Sequence, residues 1–336
     1  MTAPVRFNHR AAFLMRAQAV YGTAETLSAT ADACNPFTGD GEPAAPDPYG
    51  YVFDGAIGRG AAQVLPTRRI APNGRFREFQ FQALVKGRGS AYSASVFPPN
   101  EIHRPLLAAG YEATFSATPS ARIIYTPIAP DTQGTVLTVE QYAQGAIFPA
   151  RDVVCNFSYE AQGTGVPIFT FPMRGVAHVL CSDASFPSIT LDAPTVNPPA
   201  AVLVVSSLGA FTGHILRNVS FDRNRAIETA RYGQNVAGVH AGFVPSGYNP
   251  TMTIEIERPA RSAYDAEAIR EAASVASISY QVNSTGQFNR FTHVLPNAQL
   301  VSVTPGNDGP IPTVTLVYEG KASSPTANDA ESLTFD

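Results

Sequence analysis

At 336 residues the chain can hold one large or two modest domains and can bury a core. Hydrophobic residues make up 44% and charged residues 15%, a globular composition below the usual ~25% charge density, and a net charge of -4 gives no general case for a nucleic-acid-binding surface. Cys34, Cys155 and Cys181 show no C-x-x-C spacing and fit free thiols in a reducing cytosol better than a secreted disulfide scaffold.

No apolar run approaches the ~20 residues that span a bilayer, and residues 1–16 lack the continuous apolar stretch of a signal peptide. Residues 11–21 predict a short helix. The Pro- and Ala-rich stretch 42–50 favours an extended segment, so residues 1–50 are expected to form an N-terminal arm that orders against a neighbouring subunit. Y-V-F-D at 51–54 predicts a strand. The following G-A-I-G-R-G lacks dinucleotide-binding spacing and is read as a turn.

The stretch 76–110 predicts a strand over 76–86, then two prolines, a helix capped by Asn100 and carrying Ile102, Leu106 and Leu107, and a stop at Gly110. Strands are expected at 111–115, 121–126, 136–142, 152–160 and 168–174, with Pro172 favouring an edge or bulged position. After the Pro-containing connection 177–200, strands are expected at 201–205, 215–222 and 228–232, followed by a loop over 233–250. Residues 251–257 alternate cleanly: Met252, Ile254 and Ile256 on one face, Thr251, Thr253, Glu255 and Glu257 on the other. A helix over 265–276, with a stripe of Ala268, Ile269, Ala272 and Val275, precedes strands at 278–282, 297–304 and 313–318.

The halves share an order of elements. Strand 76–86, a prolyl turn, helix 100–109 and strand 111–115 lead to closing strands near 152–160 and 168–174. Strand 251–257, Pro259, helix 265–276 and strand 278–282 lead to 297–304 and 313–318. This predicts a repeated antiparallel unit with one helix, and a chain with two such units can close a ring with half as many subunits. The expected organisation is an arm (1–50), a first domain (51–176), a linker or inserted loop (177–200), a second domain (201–322) and a flexible tail (323–336).

Several phrases carry a family resemblance: A-V-Y-G-T-A-E-T at 19–26, G-R-F-R-E-F-Q-F-Q-A-L-V-K-G-R-G followed by P-N-E-I-H-R-P-L-L-A-A-G-Y, V-P-I-F-T-F-P-M-R-G-V at 166–176, and I-L-R-N-V-S-F-D-R-N-R-A-I-E-T before T-M-T-I-E-I-E. Together they resemble the major tail tube proteins of long-tailed, non-contractile bacteriophages. The resemblance implies a mainly β fold of two tandem sandwich- or barrel-like tube domains, each with one short helix. It also implies rings stacked into a hollow virion tail tube, assembled in the host cytoplasm, through which double-stranded DNA passes. The internal repeat favours trimeric rings with pseudo-sixfold symmetry over hexamers. Implied partners are further copies, a tape measure protein, a tail terminator and a distal tail protein. Glu78, Glu255 and Glu257 would line an acidic channel; Phe243 and Tyr248 would contact the next ring.

The competing readings are a β-rich capsid-decorating or receptor-binding virion protein and a glycosidase-like enzyme. For the latter, Glu140, Asp152 and Glu160 are available carboxylates, but nothing in the sequence selects them. The six histidines are dispersed, with no metal-ligand spacing, and His103 shares no helix face with its neighbours Glu101 and Arg104. Cys155 and Cys181 sit in or beside apolar strands and read as core thiols. No catalytic residue, metal or cofactor is expected.

Overall fold

The computed structural model describes residues 12–34, 51–53, 70–72, 76–129, 134–143, 146–162, 167–177, 182–185, 187–188, 203–208, 214–229, 243–282, 288–324 and 327–336. The fold is mainly β, a large antiparallel sheet with two short helices. Its central run has the spatial order Phe76–Leu84, Ile168–Val176, Ser158–Gln162, Leu216–Asp222, Thr251–Glu257, Ile311–Gly320 and the C-terminal part of Phe291–Asp308. Each neighbour is antiparallel, so the two outermost strands of this run point the same way.

Alternation explains why these segments are strands. In Thr251–Glu257, Met252, Ile254 and Ile256 are fully buried while the intervening Thr and Glu side chains are half-exposed. In Phe76–Leu84 the core-facing set is Arg77, Phe79, Phe81 and Ala83. Arg77 interrupts the apolar set, and its guanidinium lies 5.6 Å from the Phe148 ring centroid.

The repeat is present in the pairing. In the first unit, Phe76–Leu84 pairs with the closing strand Ile168–Val176, which also pairs with Ser158–Gln162 before it. In the second, Thr251–Glu257 pairs with the closing strand Ile311–Gly320, which also pairs with Phe291–Asp308 before it. A small hairpin precedes each unit: Tyr51–Phe53 with Ile70–Pro72, and Ala226–Thr229 with Phe243–Ser246. Between the units, Leu216–Asp222 lies antiparallel to both Ser158–Gln162 and Thr251–Glu257. The 177–200 segment divides the units in sequence but not two cores, because one apolar cluster runs from Phe13 to Phe335. Rings from both units meet within it: Phe157 and Phe221 at 5.8 Å, Tyr159 and Tyr280 at 5.7 Å, Phe169 and Phe291 at 5.1 Å.

Several sequence expectations change. The helix expected over 11–21 is the strand Ala12–Ala17, paired with Leu137–Ala143. Ala12, Phe13, Leu14 and Met15 are all buried, and such a run suits a strand covered on both faces better than an amphipathic helix. The expected N-terminal arm is therefore packed over this strand, while residues 1–11 and 35–50 lie outside the described residues. Asn100 is not the cap: Pro99 holds that position, and the Asn100 Nδ2 donates to the Ala31 carbonyl at 3.2 Å. Gly110 does end the helix, at φ 84°.

The single strand expected over 152–160 is two, Ala146–Cys155 and Ser158–Gln162. Pro172 explains where they separate. Its carbonyl accepts from the Asn156 N–H at 3.0 Å, so Pro172 sits where that flank of its strand changes partner, and its missing N–H leaves no ladder bond broken. The second helix is shorter than expected, Ala266–Glu271, with Asp265 capping the Ala268 N–H at 3.1 Å. Of its expected stripe, Ile269 packs against the core, whereas Ala268 and Ala272 are exposed and Val275 begins the next strand.

The expected flexible tail instead ends in the strand Ser332–Phe335. It bridges Phe291–Asp308 and Arg122–Pro127, with Leu333 and Phe335 fully buried. Its S-L-T-F alternation is long enough to place two apolar side chains in the core.

Candidate functional surface

Residues directly opposed across antiparallel strands share a face, so the register traces one surface through the central run. Glu78, Gln80 and Gln82 stand opposite Arg174, Pro172 and Thr170, and Thr170 stands opposite Ser158. Ser158, Glu160 and Gln162 oppose Asp222, Ser220 and Asn218; these in turn oppose Thr251, Thr253 and Glu255. Thr251, Thr253, Glu255 and Glu257 then oppose Glu319, Val317, Thr315 and Thr313. The reverse face of the same strands carries Phe79, Phe81, Tyr159, Phe169, Phe171, Phe221, Met252, Ile254 and Leu316, none more than 5% exposed. One face is core; the other is an expanse of hydroxyls, amides and carboxylates.

Glu78, Glu255 and Glu257 thus lie on one continuous face, although Glu78 belongs to the first unit and the other two to the second. Glu160 and Asp222 join them at the joint between units. There the face dips into a depression of about 360 Å³ lined by Ser158, Glu160, Thr170, Ser220, Asp222 and Thr253 among others. The cations on this face are tied to carboxylates. Arg174 pairs with Glu78, and Arg217 pairs with Glu257 and lies 3.5 Å from Asp308. At the rim, Lys321 Nζ lies 2.6 Å from Glu319, and the bond from Lys321 helps hold that carboxyl below its usual range.

A second polar cluster is buried where the units meet. Glu331 is fully buried, accepts from the Tyr111 hydroxyl at 2.9 Å and the Tyr248 hydroxyl at 3.1 Å, and lies 3.1 Å from Arg223 Nε. Its other oxygen is 3.3 Å from His293 Nε2, and His293 Nδ1 lies 2.9 Å from the Tyr159 hydroxyl. The Arg223 guanidinium stacks 4.0 Å from the Tyr111 ring centroid and 4.9 Å from that of Tyr248. Burial alone would push the Glu331 carboxyl up, but the bond to His293 and the Arg223 charge outweigh it and hold it low. Burial pushes the His293 pKa down, partly offset by Glu331. The cluster pairs each buried charge with a partner and fastens the C-terminal strand to both units.

Tyr248, expected to contact a neighbouring ring, is anchored in this cluster by its hydroxyl, with its residue surface 39% exposed. Phe243 opens the strand Phe243–Ser246, and its side chain lies outside the described residues. The three carboxylates considered for glycoside chemistry are held by different partners: Glu140 accepts from Tyr142 at 3.0 Å, Asp152 accepts from the Gly22 N–H at 2.7 Å, and Glu160 lies on the polar face. His103 stacks on Phe97 with centroids 4.3 Å apart and lies 2.7 Å from the Tyr125 hydroxyl; burial, with the nearby Arg104 charge, lowers its pKa to about 4. Cys34 and Cys155 are buried, and desolvation pushes the Cys155 thiol up; Cys181 lies outside the described residues.

No protein-family model matches the chain, and no curated protein matches it. The functional reading therefore rests on the residues themselves.

Reading the sequence by strand missed Arg174 and Arg217 as members of the polar face. Arg174 was within reach, since it continues the Thr170–Pro172 alternation. Arg217 was not, because it is the extra residue of a bulge between Leu216 and Asn218.

Proposed function

We propose that this chain is a structural subunit of a hollow tube, of the kind formed by the major tail tube proteins of long-tailed bacteriophages. In this reading three copies close a ring, the polar face lines the channel, and stacked rings let DNA slide through.

The observation that carries the proposal is the relation between the joint inside the chain and the two ends of its sheet. Inside, the first unit is continued into the second by strand pairing through Leu216–Asp222. At the ends, among the described residues, Phe76–Leu84 has a strand partner on one side alone, as does Phe291–Asp308 beyond Gln299. An unpaired edge is a template for another chain. These two edges run in the same sense, as do the two strands that flank Leu216–Asp222. Joining copies through one intervening antiparallel strand at these edges would repeat the internal joint, and head-to-tail repetition of that kind closes a ring.

The polar face supports the channel assignment. It is rich in short uncharged side chains, carries more carboxylates than cations, and holds those cations in ion pairs. Such a surface repels a polyanion and offers it no phosphate anchor.

A backbone substitution tests the edge. The Pro172 carbonyl points away from Phe76–Leu84, so the opposed Gln80 directs its own N–H and C=O outward, to the free edge. Gln80→Pro removes an outward N–H without removing a ladder bond within the chain. The expected result is a folded monomer, by circular dichroism and sedimentation, that no longer polymerises under conditions where the parent chain does. A Gln80→Pro chain that polymerises normally would show that this edge is not an assembly contact.

A further inference from the structure

The second inference rests on the channel reading and concerns the same face. We propose that Glu78 and Glu257 act as masks: they occupy the guanidiniums of Arg174 and Arg217 so that a passing phosphate backbone cannot.

A guanidinium is a poor choice for the wall of a channel that carries DNA. Its planar fork of N–H donors matches phosphate bidentately, and its charge is permanent. Even so, each unit places one on this face. Arg174 stands directly opposite Glu78 across the strand pair, and the two side chains are in contact. Arg217 is the extra residue of a bulge, which swings it to Glu257. Asp308, from the strand two beyond that of Glu257, approaches the other terminal nitrogen of Arg217 at 3.5 Å. The arginines come from different strands of their units, one opposed directly and one reached through a bulge, yet each finds a carboxylate.

Stability does not account for this. All of these side chains are partly open to water, with Glu78 54% exposed, and exposed pairs of this kind contribute little. Glu255 supplies the internal control. It lies on the same face, two residues from Glu257, and takes part in no ion pair among the described residues. If the carboxylates merely supplied negative field, Glu255 would be equivalent to the other two. If masking is what matters, it is not.

The test is binding of a short double-stranded DNA to the purified protein by fluorescence anisotropy at low salt. The Glu78→Gln/Glu257→Gln variant is expected to bind at least about tenfold more tightly than the parent, with affinity falling steeply as salt rises. Glu255→Gln should stay close to the parent, and adding Arg174→Gln and Arg217→Gln to the double variant should abolish the gain. Equal binding by Glu255→Gln and the double variant would overturn masking in favour of a general field effect, and so would no gain in the double variant. These outcomes are separable from the tube reading, which stands or falls on whether the parent chain forms tubes, whatever the variants bind.

Discussion

The two units share a sheet and differ in what lies behind it. In the first, the helix Asn100–Ala108 is enclosed: Ile102 and Leu106 are fully buried, Arg104 lies 2.9 Å from the buried Asp32, and Lys86 lies 2.9 Å from the buried Glu101. It is covered by an additional layer built from Ala12–Ala17, Ala33–Cys34, Leu137–Ala143 and Ala146–Cys155. In the second, the helix Ala266–Glu271 buries Ala266 alone, and no such layer covers it among the described residues. The first strand, closing strand and preceding hairpin agree between units, while the backing does not. What is duplicated is the wall, and an assembly of such chains would be closer to sixfold on its sheet surface than on its outer one.

The largest expected effect lies at the joint that makes the units one body. Replacing Glu331 with Ala leaves Arg223 buried without its carboxylate and should cost roughly 3–5 kcal/mol in denaturant unfolding. A loss below about 1 kcal/mol would mean the joint is not held there. The helices provide the next contrast. Leu106→Ala should destabilise by about 2–5 kcal/mol, as for a fully enclosed leucine, and Ile269→Ala in the half-covered second helix by much less. Equal losses would show that the second helix is as deeply engaged as the first.

His103 gives the helix of the first unit a pH dependence. Its folded pKa of about 4 lies below the ordinary 6.5. Between those values the unfolded chain binds a proton that the folded one refuses, so this contribution is lost as pH falls through the window and levels off below it. His103→Asn should lose less stability than the parent between pH 7 and pH 5; an identical loss would assign the effect to other groups. The smallest effect is expected from Glu255→Gln, within about 0.5 kcal/mol of the parent in stability, since the side chain stands on a solvated face.

Much of the wall was legible in the sequence because alternation reports a strand with one solvated face. Thr251–Glu257 was found to the residue for that reason. The fourfold apolar run at Ala12–Met15 was misread because a strand buried on both sides has no alternation to show. The second helix was overextended because Ala-rich sequence satisfies a helical stripe whether or not anything covers it. A repeat signal also went unused. In the sequence, P-N-G at 72–74 precedes the opening strand of the first unit and P-S-G at 245–247 that of the second, a shared turn signature. The Glu331 cluster was out of reach, since its residues come together only when the C-terminal strand crosses from one unit to the other.

Electron microscopy of the polymerised protein tests the central claim most directly. The prediction is a hollow tube of stacked rings with three chains each, its inner wall near sixfold and its outer surface threefold. Discrete particles, or rings of six chains, would contradict it.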